Sequence, residues 1–412
     1  MSNTQKKNVP ELRFPGFEGE WEEKQLGDLT TKIGSGKTPK GGSENYTNKG
    51  IPFLRSQNIR NGKLNLNDLV YISKDIDDEM KNSRTYYGDV LLNITGASIG
   101  RTAINSIVET HANLNQHVCI IRLKKEYYYI FFGQYLLSRK GKRKIFLAQS
   151  GGSREGLNFK EIANLKIFTP TIFEEQQKIG KFFSKLDRQI ELEEQKLELL
   201  QQQKKGYLQK IFSQELRFKD ENGNDYPEWR FARFKDFMYK PINIRPAINI
   251  SKSELLTVKL HCKGIEKANI NRVLKLGATN YYKRFEGQFI YGKQNFFNGA
   301  FDIVPKKFDG LYSSSDVPAF EINTEKIEPN YFISYISRPS FYKSKEKYST
   351  GTGSKRIHEN TVLNFSLHLP CLNEQLKIAS FVCFLNRKIE LLERKIYLIK
   401  KQKQALLQQM FI

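Results

Sequence analysis

The chain has 412 residues and a formal charge of +23 at neutral pH, from 67 Lys and Arg against 44 Asp and Glu. Its length suggests two or three domains, and 39% hydrophobic with 12% aromatic residues is ample material for two cores. The four cysteines (Cys119, Cys262, Cys371, Cys383) show no CxxC or metal-ligand spacing, which argues against a disulfide framework or a zinc site. No signal-peptide core opens the chain. Its most apolar stretch, 127–137, is too short to span a bilayer and is interrupted by Gly133 and Gln134. The expectation is a soluble, cytoplasmic protein with no membrane partner.

Residues 1–20 read as an N-terminal arm carrying Glu11-Leu12-Arg13-Phe14. Residues 21–172 read as a first mixed α/β domain. Its apolar runs 51–54, 90–94 and 118–123 predict short strands, because Gly, Asn, Ser and Thr clusters separate them. A helix is predicted from 127 to about 138. A central coiled-coil helix follows over 173–212, and then a linker over 213–228 that repeats the arm as Glu215-Leu216-Arg217-Phe218. The second domain, 229–370, opens on Trp229 as the first opens on Trp21. Strands are predicted at 255–258, 288–291 and 317–320, and a helix at 330–337. A C-terminal coiled-coil helix spans 371–412. The fold class is α+β: two mixed α/β domains separated by a long antiparallel two-helix coiled coil, with a pseudo-twofold internal repeat.

The repeat is legible residue by residue. Glu175-Gln176 returns as Glu374-Gln375, Ile190-Glu191-Leu192 as Ile389-Glu390-Leu391, and Pro170 as Pro370. The stretch from 150 (SGGSREGLNF) likewise returns from 349 (STGTGSKRIHENTV). Steps of four and three alternate along both helices. The first seam is Ile179, Phe183, Leu186, Ile190, Glu193, Leu197, Leu200, Lys204, Tyr207 and Ile211. The second is Ile378, Val382, Leu385, Ile389, Leu392, Ile396, Ile399, Lys403, Leu406 and Met410. That 3.5-residue period marks a supercoiled seam, and the polar Lys204 and Lys403 fall at equivalent places in it. Each helix is long enough for a rod of roughly 48 Å at about 1.5 Å per residue. Helix two begins where the second domain ends, so it can return beside helix one only antiparallel. The N-terminal arm is then expected to take the place in the first domain that the linker takes in the second.

Charge is concentrated in the domains. Residues 1–172 hold 26 Lys/Arg and 17 Asp/Glu, and 213–370 hold 25 and 17. The helical segments carry less, 8 against 7 and 8 against 3. Two basic heads point to a polyanion, and a helical polymer with a recurring groove suits a duplicated reader. A membrane surface would call for a basic amphipathic helix, whereas these helices have committed their apolar faces to the seam.

Catalytic motifs do not survive inspection. Gly34-Ser35-Gly36-Lys37-Thr38 contains the GKT of a phosphate-binding loop, but Thr31 stands where the first glycine is required and Pro39 would break the helix. There is no Asn/Asp-Pro-Pro-aromatic methyltransferase motif and no Asp…Glu-x-Lys nuclease arrangement. His111, His117, His261, His358 and His368 are scattered, as structural histidines are.

The chain resembles the specificity (S) subunit of type I restriction-modification systems along its whole length. The first domain carries the resemblance in Ile33-Gly34-Ser35-Gly36-Lys37-Thr38-Pro39, Asn45-Tyr46, Gly50-Ile51-Pro52-Phe53, Thr95-Gly96-Ala97-Ser98-Ile99-Gly100 and Asn115-Gln116, and each helix in its proline followed by Glu-Gln. The second domain lacks the Gly-Thr-Pro opening. The resemblance implies two target-recognition domains, each reading half of a bipartite site in double-stranded DNA, with the rod setting the gap. It also implies two modification (methyltransferase) subunits docked on the helices, restriction subunits in the full complex, and no cofactor here. S-adenosylmethionine, Mg and ATP would belong to the partner subunits, and this chain would be non-catalytic. The alternative reading is a non-enzymatic tether that holds two protein partners across the rod.

Base readout uses Arg or Lys toward guanine and Asn or Gln toward adenine, with phosphate contacts setting position. Candidates in the first domain are Lys37, Thr38 and Lys40; Arg55, Gln57, Asn58 and Arg60; Arg101; Asn115 and Gln116; and Lys142, Arg143 and Lys144, the last three as phosphate anchors. In the second domain they are Lys283 and Arg284; Lys293, Gln294 and Asn295; Lys306 and Lys307; and Lys355 and Arg356.

Overall fold

The computed structural model describes residues 8–149, 156–242, 245–248, 250–269, 279–351 and 354–412. The first seven residues of the predicted arm lie outside the described residues. So do 150–155 and 352–353 of the repeated stretches before the helices. The helices in chain order are α1 (Lys74–Glu79), α2 (Tyr129–Leu137), α3 (Arg139–Leu147), α4 (Phe159–Ala163), α5 (Phe173–Phe212), α6 (Pro329–Ile336), α7 (Pro339–Tyr342), α8 (Glu359–Leu363) and α9 (Leu372–Met410). Among the described residues no helix is long and apolar enough to cross a membrane. The chain divides into two compact units, residues 1–196 with 393–412, and residues 197–392.

In the first unit a four-stranded antiparallel sheet runs in the order Thr30–Ser35, Val118–Leu123, Val90–Asn93, Thr102–Ile104. A second sheet orders Val70–Ile72, Ile51–Leu54, Ala112–Leu114 and Arg84–Thr85, with its central pair parallel. Glu22–Gln25 pairs antiparallel with Lys166–Thr169, which brings the start of the domain to the strand just before α5. The core gathers Trp21, Leu92, Phe131, Phe132, Tyr135 and Phe183 around Phe411, whose ring lies 5.2 Å from that of Phe131 and 5.8 Å from those of Tyr135 and Phe183.

The second unit repeats the scaffold. Met238–Tyr239, Ala319–Ile322, Phe289–Tyr291 and Phe301–Ile303 form a four-stranded sheet with the same order of connection, and Arg230–Arg233 pairs with Ser366–Leu369. Here Phe212 takes the part of Phe411, with its ring 5.1 Å from Tyr335 and 5.9 Å from Tyr331. The second four-stranded sheet of the first unit has no such counterpart among the described residues. Two short ladders stand there instead, Leu256–Val258 with Ile265–Lys267 and Tyr281–Lys283 with Tyr312–Ser314. The units therefore share their framework and differ in their centres.

Both long helices are continuous, 40 and 39 residues, and they pair antiparallel within each unit. In the first unit Asp187 meets Lys403 at 2.6 Å and Glu193 meets Lys395 at 2.5 Å, so partner numbers fall as positions rise. In the second, the ring of Tyr207 meets that of Phe381 at 5.3 Å, and Ile211 packs in one cluster with Ile378 and Val382. The predicted seam residues are buried or half-buried except Tyr207, which is 41% exposed. The two seam lysines differ. Lys403 is salt-bridged to Asp187, whereas Lys204 makes no hydrogen bond or ion pair among the described residues, and burial pushes its ammonium pKa down.

The arm occupies the expected place. Leu12 N–H donates to the Gln409 carbonyl at 3.1 Å, and Leu216 N–H donates to the Lys210 carbonyl at 3.1 Å. Each acceptor stands two residues before the aromatic plug, Phe411 or Phe212. The helix predicted from 127 begins later, at Tyr129, because the Tyr128 N–H is taken by the Gln176 side chain at 2.9 Å. The helix predicted from 330 starts one residue earlier, since Pro329 fits the first turn and the Glu328 carboxylate accepts from the Tyr331 N–H.

Candidate nucleic-acid interface

The Gly-Ser-Gly-Lys-Thr-Pro run of the first unit is a backbone crossing. A Cβ on Gly36 would lie 1.9 Å from the Leu114 carbonyl oxygen, so only glycine fits there. Gly36 N–H donates to Val118 O at 3.2 Å and Lys37 N–H to Leu114 O at 2.9 Å. Beyond this pinned point Lys37 and Lys40 are exposed and Thr38 is half-buried.

Nearby, three loops enclose a cleft of about 460 Å³ lined by Ser56, Gln57, Arg60, Thr95, Gly96, Ala97, Ser98, Arg101 and His117. The Ser56–Asn58 turn supplies Gln57, and the short strand Ile59–Arg60 supplies Arg60. The Gly96–Ser98 turn supplies the opposite wall. It begins at Gly96 (φ 68°) and is followed by Gly100 (φ 82°), so both glycines occupy left-handed backbone. Asn93, fully buried, ties the walls together by donating to the Ser56 carbonyl at 2.9 Å and the Ser98 hydroxyl at 3.1 Å. Thr95 Oγ1 and His117 Nδ1 are 2.7 Å apart, and His117 N–H donates to the Asn115 carboxamide oxygen at 3.2 Å. Two guanidinium groups, an amide, hydroxyls and an imidazole thus converge on one recess, a donor and acceptor set suited to base edges.

Other candidates fall elsewhere. Asn58 is fully buried and holds its own loop, accepting from Arg55 N–H at 2.8 Å and donating to Asn65 O at 2.9 Å. The half-buried Arg55 donates to Asp68 O at 2.9 Å and lies 5.5 Å over the Tyr46 ring. Gln116 is exposed and Asn115 half-buried. On α3, Lys142 and Arg143 are exposed, but Lys144 turns inward to the Lys166 carbonyl and the Phe168 ring, and burial lowers its pKa. Lys144 is therefore turned away from the solvent side that phosphate anchoring requires.

At the second sheet of the first unit, the buried Asp77 accepts from Arg84, from His111 at 3.0 Å and from Asn113 at 2.7 Å. Burial by itself would raise the Asp77 carboxyl. The three donors outweigh it and hold the group below the usual carboxylate range.

In the second unit the candidates do not gather. Arg284 is 2% exposed, donates to Ser313 Oγ at 2.6 Å and Val317 O at 3.0 Å, and burial pushes its pKa down to about 10. It braces the fold from inside. Lys293, Lys355 and Arg356 are ion-paired with Glu359, Glu346 and Asp316 at 3.1, 2.6 and 2.9 Å. Asn295 accepts from Asn298 Nδ2 at 3.0 Å. Lys283, Gln294, Lys306 and Lys307 are exposed. Sequence reasoning missed Thr95, Ser98 and His117 as cleft residues. The glycine-flanked Thr-Gly-Ala-Ser turn was the available signal for the loop, and no sequence signal marked the histidine.

The same framework, a four-stranded sheet with a terminal strand pair, therefore stands twice in the chain. The chain belongs to the family of the type I restriction modification DNA specificity domain, whose model matches twice, over residues 18–202 and 209–401. It is 25% identical over 401 residues to a Methanocaldococcus jannaschii protein assigned as the type I restriction enzyme MjaX specificity subunit, covering 94% of this chain and 92% of that one. It is 23% identical to the type I restriction enzyme MjaVIII specificity subunit of the same organism, covering 97% and 93%. The crystal structure of the type I restriction-modification system S subunit from M. genitalium shares the fold, with a TM-score of 0.62 and 14% identity over 98% of this chain and 99% of that one.

Proposed function

We propose that the chain is the DNA specificity subunit of a type I restriction-modification complex, each domain reading one half of a bipartite duplex site. The observation that carries this reading is that the DNA specificity domain recurs once in each half of the chain. The recess holding Gln57, Arg60, Arg101 and His117 is the reading surface of the first domain. The paired helices act as the spacer between half-sites and as the dock for modification subunits. Apolar side chains left exposed on them support the second role: Leu192, Tyr397 and Leu398 beside the first domain, and Leu199, Phe384 and Leu391 beside the second. Methyl transfer, cleavage and their S-adenosylmethionine, Mg and ATP belong to the partner subunits, and the whole complex works in the cytoplasm.

Mapping methylated bases in a cell that carries this chain with its modification subunit tests the reading. Two short motifs at a constant gap are expected. Insertion of one heptad into each long helix should lengthen the gap and leave both motifs unchanged. Methylation at single, undivided motifs would refute the proposal.

A further inference from the structure

We propose that the tip of α3, Phe146 with Leu147, is an apolar contact that enters a groove of the duplex beside the readout cleft of the first domain. The inference rests on the DNA-reading function proposed above.

α3 has two distinct faces. Its inner face is locked to the domain. The Ser138 hydroxyl accepts from Gly141 N–H at 3.1 Å, and a Cβ on Gly141 would lie 2.2 Å from the Tyr135 carbonyl oxygen, so only glycine allows this approach. Ile145 is 2% exposed, and Lys144 is folded back onto the Lys166 carbonyl. The outer face carries Arg139, Lys142, Arg143 and Phe146 at the i, i+3, i+4, i+7 spacing of one helical stripe, all exposed. Among the described residues none of the three cations is in an ion pair. The stripe therefore ends in a phenylalanine 69% exposed, followed by a leucine 68% exposed.

The inner face of α3, one residue from the tip, packs beside the cleft. A Cβ on Gly100 would sit 3.4 Å from the Ile145 side chain, and Gly100 immediately precedes Arg101 in the cleft wall. After α3 the chain comes back to the same wall, where Gly156 bridges to Thr95. Three unpaired cations select a polyanion over an apolar protein face. Phosphates would take the cations while the apolar tip meets sugar and base edges within the groove, the division of labour that wedge-bearing DNA binders use.

The test uses the full-length chain and the duplex that it enriches from a random-sequence pool, titrated at several salt concentrations. Phe146→Ala/Leu147→Ala should weaken binding by ~10-fold or more with the salt slope unchanged, because an apolar contact releases no counterions. Arg139→Ala/Lys142→Ala/Arg143→Ala should flatten the salt slope by about two to three units. The substituted side chains are exposed, so thermal unfolding of both variants should match the wild type. Unchanged DNA affinity in the Phe146/Leu147 variant overturns the proposal, and loss of modification-subunit binding in its place would assign the tip to a protein partner. Failure of the wild-type chain to enrich any sequence would instead sink the DNA-reading function itself.

Discussion

Arg13 grips Glu175 with two parallel hydrogen bonds, Nε to Oε1 and Nη2 to Oε2, each 2.7 Å long. Arg217 grips Glu374 in the same way, at 3.2 and 2.8 Å. Each glutamate is buried and accepts a further bond from an indole N–H, Trp21 at 3.4 Å or Trp229 at 2.9 Å. The guanidinium groups also donate to backbone carbonyls, of Gly19 at 2.6 Å in one clamp and Pro227 at 2.7 Å in the other. The repeated Glu-Leu-Arg-Phe, the tryptophan and the Glu-Gln pair are therefore parts of one clamp. It ties the segment entering a domain to the first turn of the helix leaving it.

Removing the acid should strand a largely desolvated guanidinium. Glu175→Ala is expected to destabilise the first unit by about 3 kcal/mol, since breaking a buried charge pair costs more than the pair itself contributes. Urea unfolding in a Trp229→Phe background, where Trp21 is the sole remaining tryptophan, measures this directly. Glu175→Gln should cost less, because an amide oxygen still accepts from the indole.

The Asp77 network predicts an acid-labile first domain. The folded carboxyl titrates below its unfolded value, so its contribution is present above about pH 3.9 and is lost as pH falls through the folded pKa. Stability measured from pH 6 down to pH 2 should decline in this domain below about pH 3.9, and Asp77→Asn should be less stable at neutral pH with a flatter decline there. An identical pH profile in the variant would assign acid lability to other groups.

Cleft residues should act on one half-site only. Arg60→Ala or Arg101→Ala should cost about 1–3 kcal/mol at one base position and leave the other motif unaltered. Selection from random duplexes reads the change as a relaxed position. Uniform weakening on every sequence would make the residue a phosphate contact.

The seam lysines should respond oppositely to loss of charge. Lys204→Leu is expected to raise the melting temperature, with a gain of about 1 kcal/mol, because a desolvated ammonium gives way to an apolar seam residue. Lys403→Leu should lower it, because Asp187 would lose its 2.6 Å partner and, among the described residues, keep only the amide of Gln134, at 2.7 Å.

Because Leu12 and Leu216 are anchored at equivalent carbonyls, a permuted chain should fold. Joining Ile412 to Asn8 by a short linker and opening the exposed turn at Gly223 (φ 83°) should preserve the unfolding profile and both half-site preferences. A permuted chain that aggregates or loses one preference would show that the arm and the linker are not equivalent.

Periodicity and repetition were readable from the chain alone. Alternating steps of four and three from Ile179 to Ile211 specify a helix with one apolar seam whatever surrounds it, and a second such seam supplies its partner. The recurrence of Arg13, Trp21 and Glu175 as Arg217, Trp229 and Glu374 likewise announced a duplicated framework. The reading surface was a different matter. Whether an Arg, Lys or Asn faces solvent depends on contacts far away in sequence, and residue type carries no record of them. Arg284 went inward to Ser313, Lys144 to the Lys166 carbonyl and Asn58 to Asn65, while His117 came out beside Thr95. Local periodicity specifies elements because neighbouring residues enforce it. Only the tertiary fold decides which polar groups bond within the protein and which stay free for a ligand.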